Sequence, residues 1–146
     1  MSIRVRPLEA RDHDAWLALF QDYIAFYRAS VPDEVVALTW SRLMGGAPEM
    51  AGLGAFGADG RLIGIALMVF HRSTWAADGY CYLEDLYVVP EARGLGAGRA
   101  LIEGVYAAAD ARGATRTYWV TEVDNAVARR LYDRVATRAP YVQYRR

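Results

Sequence analysis

The sequence predicts an α+β protein, a mixed sheet with helices on its faces, folded as one domain over residues 1–146. Three observations carry this. Apolar residues recur at helical spacing from Trp16 to Leu43, the stretch from Leu53 to Phe70 reads as a β-hairpin, and the second half runs strand, glycine-rich turn, helix, strand. The chain has 146 residues, 54% apolar and 23% charged, which suits a compact globule and excludes a disordered or collagen-like chain. A domain of this length buries roughly 70% of its unfolded surface and needs no disulfide or structural metal to fold.

Ile3 to Arg6 alternates apolar and basic residues as a short first strand. Asp12 and Asp14 suit a helix N-terminus, and Trp16, Phe20, Tyr23, Ile24 and Tyr27 then line one face. Ser30-Val31-Pro32 interrupts that helix. Pro32-Asp33-Glu34 fits a new first turn, with Val36, Trp40 and Leu43 as its stripe and Gly45-Gly46 as its stop. Leu53–Phe56 and Leu62–Phe70 flank the turn Ala58-Asp59-Gly60 as a hairpin, and His71 to Gly79 is expected to be a loop. Tyr80 to Val89 is rich in β-formers and ends at Pro90. A helix is expected from about Gly98 to Arg112, a strand over Thr115 to Thr121, and a helix from Asp124-Asn125 to about Ala136. A last strand is expected over Tyr141 to Tyr144.

Seventeen basic side chains balance seventeen acidic ones, so no basic excess exists to hold nucleic acid. The lone cysteine, Cys81, rules out an internal disulfide and a Cys-based zinc site, and His13 and His71 lack ligand-spaced partners, so no metal is expected. The N-terminus has charge but no apolar core behind it. The longest apolar run, Leu62 to Phe70, is about half a membrane span. A cytoplasmic protein without nucleic-acid or membrane partners is the expectation.

Two glycine patterns compete for a ligand. Gly52-Leu53-Gly54-Ala55-Phe56-Gly57 is a literal G-x-G-x-x-G, but it lies inside a predicted strand with no helix after it, so strand glycines explain it better than a dinucleotide. Arg93-Gly94-Leu95-Gly96-Ala97-Gly98-Arg99 lies between a strand and a helix. Successive N–H groups in such a turn form a concave anion site, and Arg93 and Arg99 can add charge-assisted contacts. The lysine and Ser/Thr of a triphosphate-binding loop are missing, which narrows the ligand to a diphosphate held by backbone. The competing reading is a flexible connection.

Tyr82-Leu83-Glu84-Asp85-Leu86-Tyr87-Val88-Val89-Pro90 followed by Arg93-Gly94-Leu95-Gly96-Ala97-Gly98 resembles the acetyl-CoA motif, R/Q-x-x-G-x-G/A, of the GNAT superfamily of N-acetyltransferases. Asn125 and Tyr132 match that family's downstream CoA-contacting asparagine and thiolate-facing tyrosine. Ala136 departs from it, since many members carry glycine a few residues past the tyrosine. Within the superfamily the chain looks most like the polyamine/diamine N-acetyltransferases and the fungal acetyltransferases described for histones, polyamines and D-amino acids. The resemblance implies a twisted, mixed and mostly antiparallel sheet of six to seven strands with about four helices. It also implies acetyl-CoA as cosubstrate and direct acetyl transfer to an amine in a ternary complex. CoA contacts would come from Leu86, Tyr87, Val88, the run Arg93 to Arg99, Asn125 and Ala128, and the oxyanion would meet backbone N–H near Leu86.

An amine of pKa about 10.4 must lose a proton before attack, at roughly 4–5 kcal/mol at pH 7. Glu84, acidic in an otherwise apolar strand, is the candidate base; its competing reading is a solvated or ion-paired strand residue. Asp85 faces the opposite side by alternation unless a bulge intervenes. Tyr132 is the candidate donor to the leaving thiolate, with core packing as the alternative. Trp40, His71, Trp75, Asp85 and Glu122 are candidates for the acceptor pocket. Polyamine or amino-acid-like small amines are the expected acceptors, a protein lysine is the alternative acceptor, and a non-catalytic acyl-CoA sensor is the alternative class. A homodimer is expected through the aromatic C-terminal end.

Overall fold

The computed structural model describes residues 2–146. In chain order the elements are β1 (Arg4–Pro7), α1 (His13–Phe26), α2 (Asp33–Ser41), β2 (Met50–Phe56), β3 (Leu62–Ser73), β4 (Ala76–Val88), α3 (Ala97–Ala111), β5 (Thr117–Tyr118) and α4 (Ala126–Val135). One mixed sheet runs β1-β2-β3-β4-β5, with antiparallel pairing up to β4 and a parallel β4–β5 pair reached through the α3 crossover.

The sheet has five strands among the described residues, not six or seven. Tyr141 to Tyr144 forms no strand. Its aromatic content favours a pleated, half-covered surface, yet Pro140 lacks an N–H and no neighbouring strand pairs with the segment, so Tyr141 and Tyr144 stand 83% and 91% exposed. The stretch His71–Gly79 is mostly strand instead of loop. β3 and β4 run on to a tight hairpin whose tip is braced by the Trp75 N–H donating to Ser73 Oγ at 3.0 Å. The expected strand Thr115–Thr121 shrinks to two residues, since β5 finds partners in β4 only at Cys81 and Tyr82.

α3 buries Leu101, Ile102 and Val105 completely against one face of the sheet. On the other face Trp16 of α1 is fully buried, with its ring 4.9 Å from those of Phe20 and of Trp40 in α2. Gly52 and Gly54 lie within β2, each packed against the Leu8 side chain, so the first glycine pattern is strand packing.

β1 is tied to the start of α1 by a buried ion pair. Asp12 accepts two hydrogen bonds from the Arg6 guanidinium, at 2.8 and 3.1 Å, and one from the Glu9 N–H at 2.7 Å. The guanidinium, more than any other neighbour, holds the Asp12 carboxyl below the usual carboxylate range. Removing one partner of such a pair strands the other charge. Asp12→Ala is therefore expected to cost about 2–3 kcal/mol in urea unfolding at pH 7. A lowered folded-state pKa stabilises above the unfolded value and is lost as acid protonates the folded group, so the gap between variant and wild type is expected to narrow as pH falls below the ordinary carboxylate range.

Candidate active site

The site forms around one irregularity in β4. Leu67 pairs with Asp85 while the next residue of β3, Met68, pairs with Leu83, so Glu84 is an unpaired extra residue, a β-bulge. The bulge reverses the alternation of β4. Before it, Cys81 and Leu83 are buried in the core; after it, Tyr87 turns to α1, with its ring 6.1 Å from that of Tyr23. Asp85, two residues before Tyr87, shares that α1 side and interacts with Tyr23, so two consecutive carboxylates approach the same helix. The sequence reading left this open; the bulge decides it.

Past the bulge the sheet splits. β5 pairs with β4 only at Cys81–Thr117 and Tyr82–Tyr118. The gap that follows is a cleft lined by Tyr23 and Tyr27 of α1, Leu83, Glu84 and Leu86 of β4, Trp119 and Val120 after β5, and Tyr132 of α4. Glu84 and Tyr132, distant in sequence, therefore share one cleft.

The electrostatics are set by crowding. Asp85 is pushed up to about 7, first by burial and then by the charge of Glu84, while Tyr23 pulls it the other way. Tyr23 is raised in turn by burial and by Asp85. Tyr132 is pushed up to about 12, chiefly by burial. Cys81 is fully buried and its thiol rises to about 11, so it holds no reactive thiolate near neutral pH.

At the far end of β4 the second glycine pattern forms the turn into α3. Gly94 and Gly96 adopt φ of +81° and +90°, the left-handed region that side-chain-bearing residues avoid, and nothing stands within 4 Å of where a Cβ would project. Backbone conformation demands these glycines, and the space before them is open. Gly96 is the N-cap of α3 and has no side chain to cap it, so the first-turn N–H groups face that space. Gly98 is needed for another reason: a Cβ there would lie 3.1 Å from Leu131 Cδ2, so it sets how closely α3 approaches α4. Arg93 Nε donates to the Val88 carbonyl at 3.0 Å and Arg99 Nε to Glu103 at 3.1 Å, which leaves further guanidinium N–H groups on each.

Asn125 caps α4: its Oδ1 accepts from the Ala128 N–H at 3.4 Å and its Nδ2 donates to Thr121 Oγ1 at 3.2 Å. It thereby fixes the helix that carries Tyr132, whose ring packs edge-on against Trp119 at 5.4 Å. Of the other acceptor-pocket candidates, Asp85 stands at the bulge. His71 sits beside β5, with Nε2 2.6 Å from the Tyr118 hydroxyl. Exposed Glu122 lies close enough to raise Tyr27. Trp40 is part of the α1–α2 packing and Trp75 stands at the hairpin tip, so neither lines the cleft. The sequence reading missed Leu83, Trp119 and Val120, and took Tyr23 and Tyr27 only as a helix face. The one available signal was an excess of aromatic residues in α1 over what a core stripe requires.

No group of three or more His, Cys, Asp or Glu among the described residues is arranged to hold a metal ion, and no helix is long and apolar enough to cross a membrane. The split between the parallel strands β4 and β5 thus lies in the same fold as a glycine turn at the N-terminus of α3. The chain belongs to the acetyltransferase (GNAT) family, whose model matches residues 16–136. It is 37% identical over 145 residues to the D-amino-acid N-acetyltransferase HPA3 of Saccharomyces cerevisiae, covering 99% of this chain and 90% of that protein. In fold it matches the aminoglycoside acetyltransferase AAC(6')-Iy in complex with a CoA bisubstrate analogue, at TM-score 0.86 and 19% identity over 100% of this chain and 98% of the other. It also matches the ribosomal-protein-alanine N-acetyltransferase of Brucella melitensis, at TM-score 0.80 and 22% identity over 99% and 97%. The chain is thus an acetyl-CoA-dependent acyltransferase.

Asp85 yields a test independent of catalysis. Its folded-state pKa is raised, so it favours folding below its unfolded value near 3.8, and that contribution is lost as pH rises to about 7. Asp85→Asn keeps an acceptor for Tyr23 without the charge. Its stability advantage over wild type is expected to grow between pH 4 and 7 and to level off above that at about 2–4 kcal/mol, read from urea midpoints. A constant difference across that range would contradict the burial argument.

Proposed function

We propose that the protein moves the acetyl group of acetyl-CoA directly to the primary amine of a small molecule, a polyamine or an amino-acid-like acceptor, in a ternary complex. The observation that carries this reading is the shared cleft of Glu84 and Tyr132, opened by the β4 bulge and the β4–β5 split. It is supported by the relative named for D-amino acids and by neighbours named for aminoglycosides.

In this reading the N–H groups of the Gly94–Arg99 turn hold the CoA diphosphate, with Arg93 and Arg99 adding charge from its rim. The pantetheine arm enters the split and pairs with main-chain groups of Leu86 to Val88, as an added strand would. Asn125 and Ala128 keep the α4 N-terminus against it. Glu84 holds the acceptor ammonium and takes one proton, directly or through water. The free lone pair attacks the thioester carbonyl, forming the C–N bond and moving the C=O electrons to oxygen, where the N–H near Leu86 meets the charge. As the intermediate collapses, the C–S bond breaks and the thiolate leaves with the electron pair. The second amine proton ends on that sulfur, and one proton is released overall. Tyr132, pushed up to about 12, acts as a hydrogen-bond donor to the leaving sulfur, because full transfer to a thiolate of pKa about 8.5 is uphill by roughly 5 kcal/mol. Asp85, near 7, is a suitable second stop for a proton leaving Glu84. The buried Cys81 argues against an acyl-enzyme and fits a reducing, cytoplasmic setting.

The measurement is release of CoA thiol from acetyl-CoA with a panel of amines. Glu84→Gln is expected to lower kcat/KM by about 10²–10⁴ without weakening CoA binding by calorimetry, and Tyr132→Phe to lower kcat at unchanged acetyl-CoA affinity. In wild type, kcat/KM should rise with pH through about 7. Tight CoA binding with no thiol release for any amine would instead indicate a sensor.

The same reading includes a homodimer. Tyr141, Val142 and Tyr144 point outward from an extended tail, and β5 ends the sheet with an unpaired outer edge. Light scattering should give twice the chain mass, falling to one chain mass for the double variant Tyr141→Asp, Tyr144→Asp.

A further inference from the structure

The α1-side face of β4 and β5 carries a group of rings that the transfer scheme does not use. Tyr82 and Tyr118 are partners across the parallel rung, their ring centroids 4.9 Å apart at 36°. Tyr80 lies 6.3 Å from Tyr118. His71, from β3, meets Tyr118 and Tyr80 edge-on at 5.8 and 5.7 Å. Hydrogen bonds fix the arrangement. His71 Nδ1 lies 2.8 Å from the Arg72 carbonyl, which only accepts, so Nδ1 donates, and Nε2 is hydrogen-bonded with the Tyr118 hydroxyl at 2.6 Å. The three tyrosines are only half-buried and His71 is exposed, so this is an ordered aromatic surface outside the core.

Its two ends differ in charge. One end is Glu84, whose carboxylate the Tyr82 hydroxyl approaches. At the other end the Arg116 guanidinium lies over the Tyr80 ring, 4.5 Å from its centroid, with Arg72 next to His71 in β3. An amine held at Glu84 must send its substituent somewhere. The split belongs to the thioester, and Tyr82 with Tyr118 is the adjoining surface. Aromatic faces attract cations as well as planar groups. Here, however, the ring face that a long polycation would reach next is already taken by Arg116, and a second ammonium would meet that guanidinium charge.

We infer that Tyr82 and Tyr118, held in place by His71, form the acceptor's side-chain subsite, which takes an arylalkyl amine with an uncharged planar substituent ahead of a polyamine. The inference rests on the acetyl-transfer reading and narrows its acceptor.

The test compares thiol release with both enantiomers of phenylalanine, phenethylamine, alanine and spermidine. Wild type is expected to use the aryl amines with higher kcat/KM than alanine or spermidine. Phenylalanine against phenethylamine separates an amino acid from a simple amine as the source of that chemistry. Tyr118→Ala should raise KM for the aryl amines by roughly five- to tenfold, the range of an aromatic contact. Its kcat and its KM for alanine should stay within about twofold, since no aromatic contact is lost there. Tyr118→Phe, which keeps the ring, should restore most of the aryl KM. If Tyr118→Ala fails to fold, His71→Ala, at an exposed position, should give a smaller rise confined to the same amines. A wild-type preference for spermidine, or a KM rise in Tyr118→Ala shared equally by all acceptors or absent from all, would overturn the subsite while leaving acetyl transfer intact. No release with any amine would remove the transfer reaction, and the subsite with it.

Discussion

Opposite Leu67 and Met68, β4 spends three residues where regular pairing needs two, and the surplus one is Glu84. A bulge sharpens the local twist of a strand and leaves part of its backbone without ladder partners. Both effects are used here. The change in direction carries β4 away from β5 after two rungs, and the reversed alternation turns Asp85 and Tyr87 toward α1. Regular alternation through this point would return Asp85 to the α3 side, away from Tyr23. Cleft, carboxylate pair and approach to α1 therefore have one backbone cause.

Much of the framework was legible because it rests on local rules. The stripe Leu101, Ile102, Val105 and Ala109 has helical period and is the buried face of α3. The alternating glycines mark a turn, and two of them adopt the left-handed dihedrals that make glycine necessary. Glu84 stood out as an acid in an apolar strand and Tyr132 through the resemblance to the family's downstream tyrosine, and they meet in one cleft. What escaped depends on pairing across the chain. Whether Asp85 faces with Glu84 or against it turns on a bulge that no single-strand pattern reveals. The tail from Tyr141 reads as a strand by composition, but composition does not supply the neighbour a strand requires. Trp119 and Val120 become cleft residues only because the β4–β5 ladder ends just before them.

Aromatic residues serve two purposes in this chain. Trp16, Phe20 and Trp40 form a closed stack whose members lose their hydration together, and they anchor the helix pair. Tyr23, Tyr27 and Tyr132 stand around the cleft that also holds Glu84. Burial raises both Asp85 and Tyr132, so the two are displaced upward together. An upward shift makes a carboxyl a better proton acceptor and a phenol a poorer proton donor.

That asymmetry bears on where catalysis is needed. A protonated amine at neutral pH withholds its lone pair, and freeing it costs roughly 4–5 kcal/mol in water. A thiolate of pKa about 8.5 is already a tolerable leaving group and gains from a hydrogen bond without needing a full proton. In the proposed scheme the amine end carries two consecutive carboxylates, Glu84 and Asp85. The closer like charges stand, the more strongly each favours the proton on the other. At the sulfur end the cleft offers one weakly acidic phenol. A protein whose difficult step was expulsion of the leaving group would need the reverse, a donor lowered toward neutrality by a nearby cation. The Tyr132 shift arises instead from burial and from Tyr27, with no cation among its causes. In the proposed scheme the bulge thus assigns proton removal to the strand and leaves the helix to orient and solvate the departing sulfur.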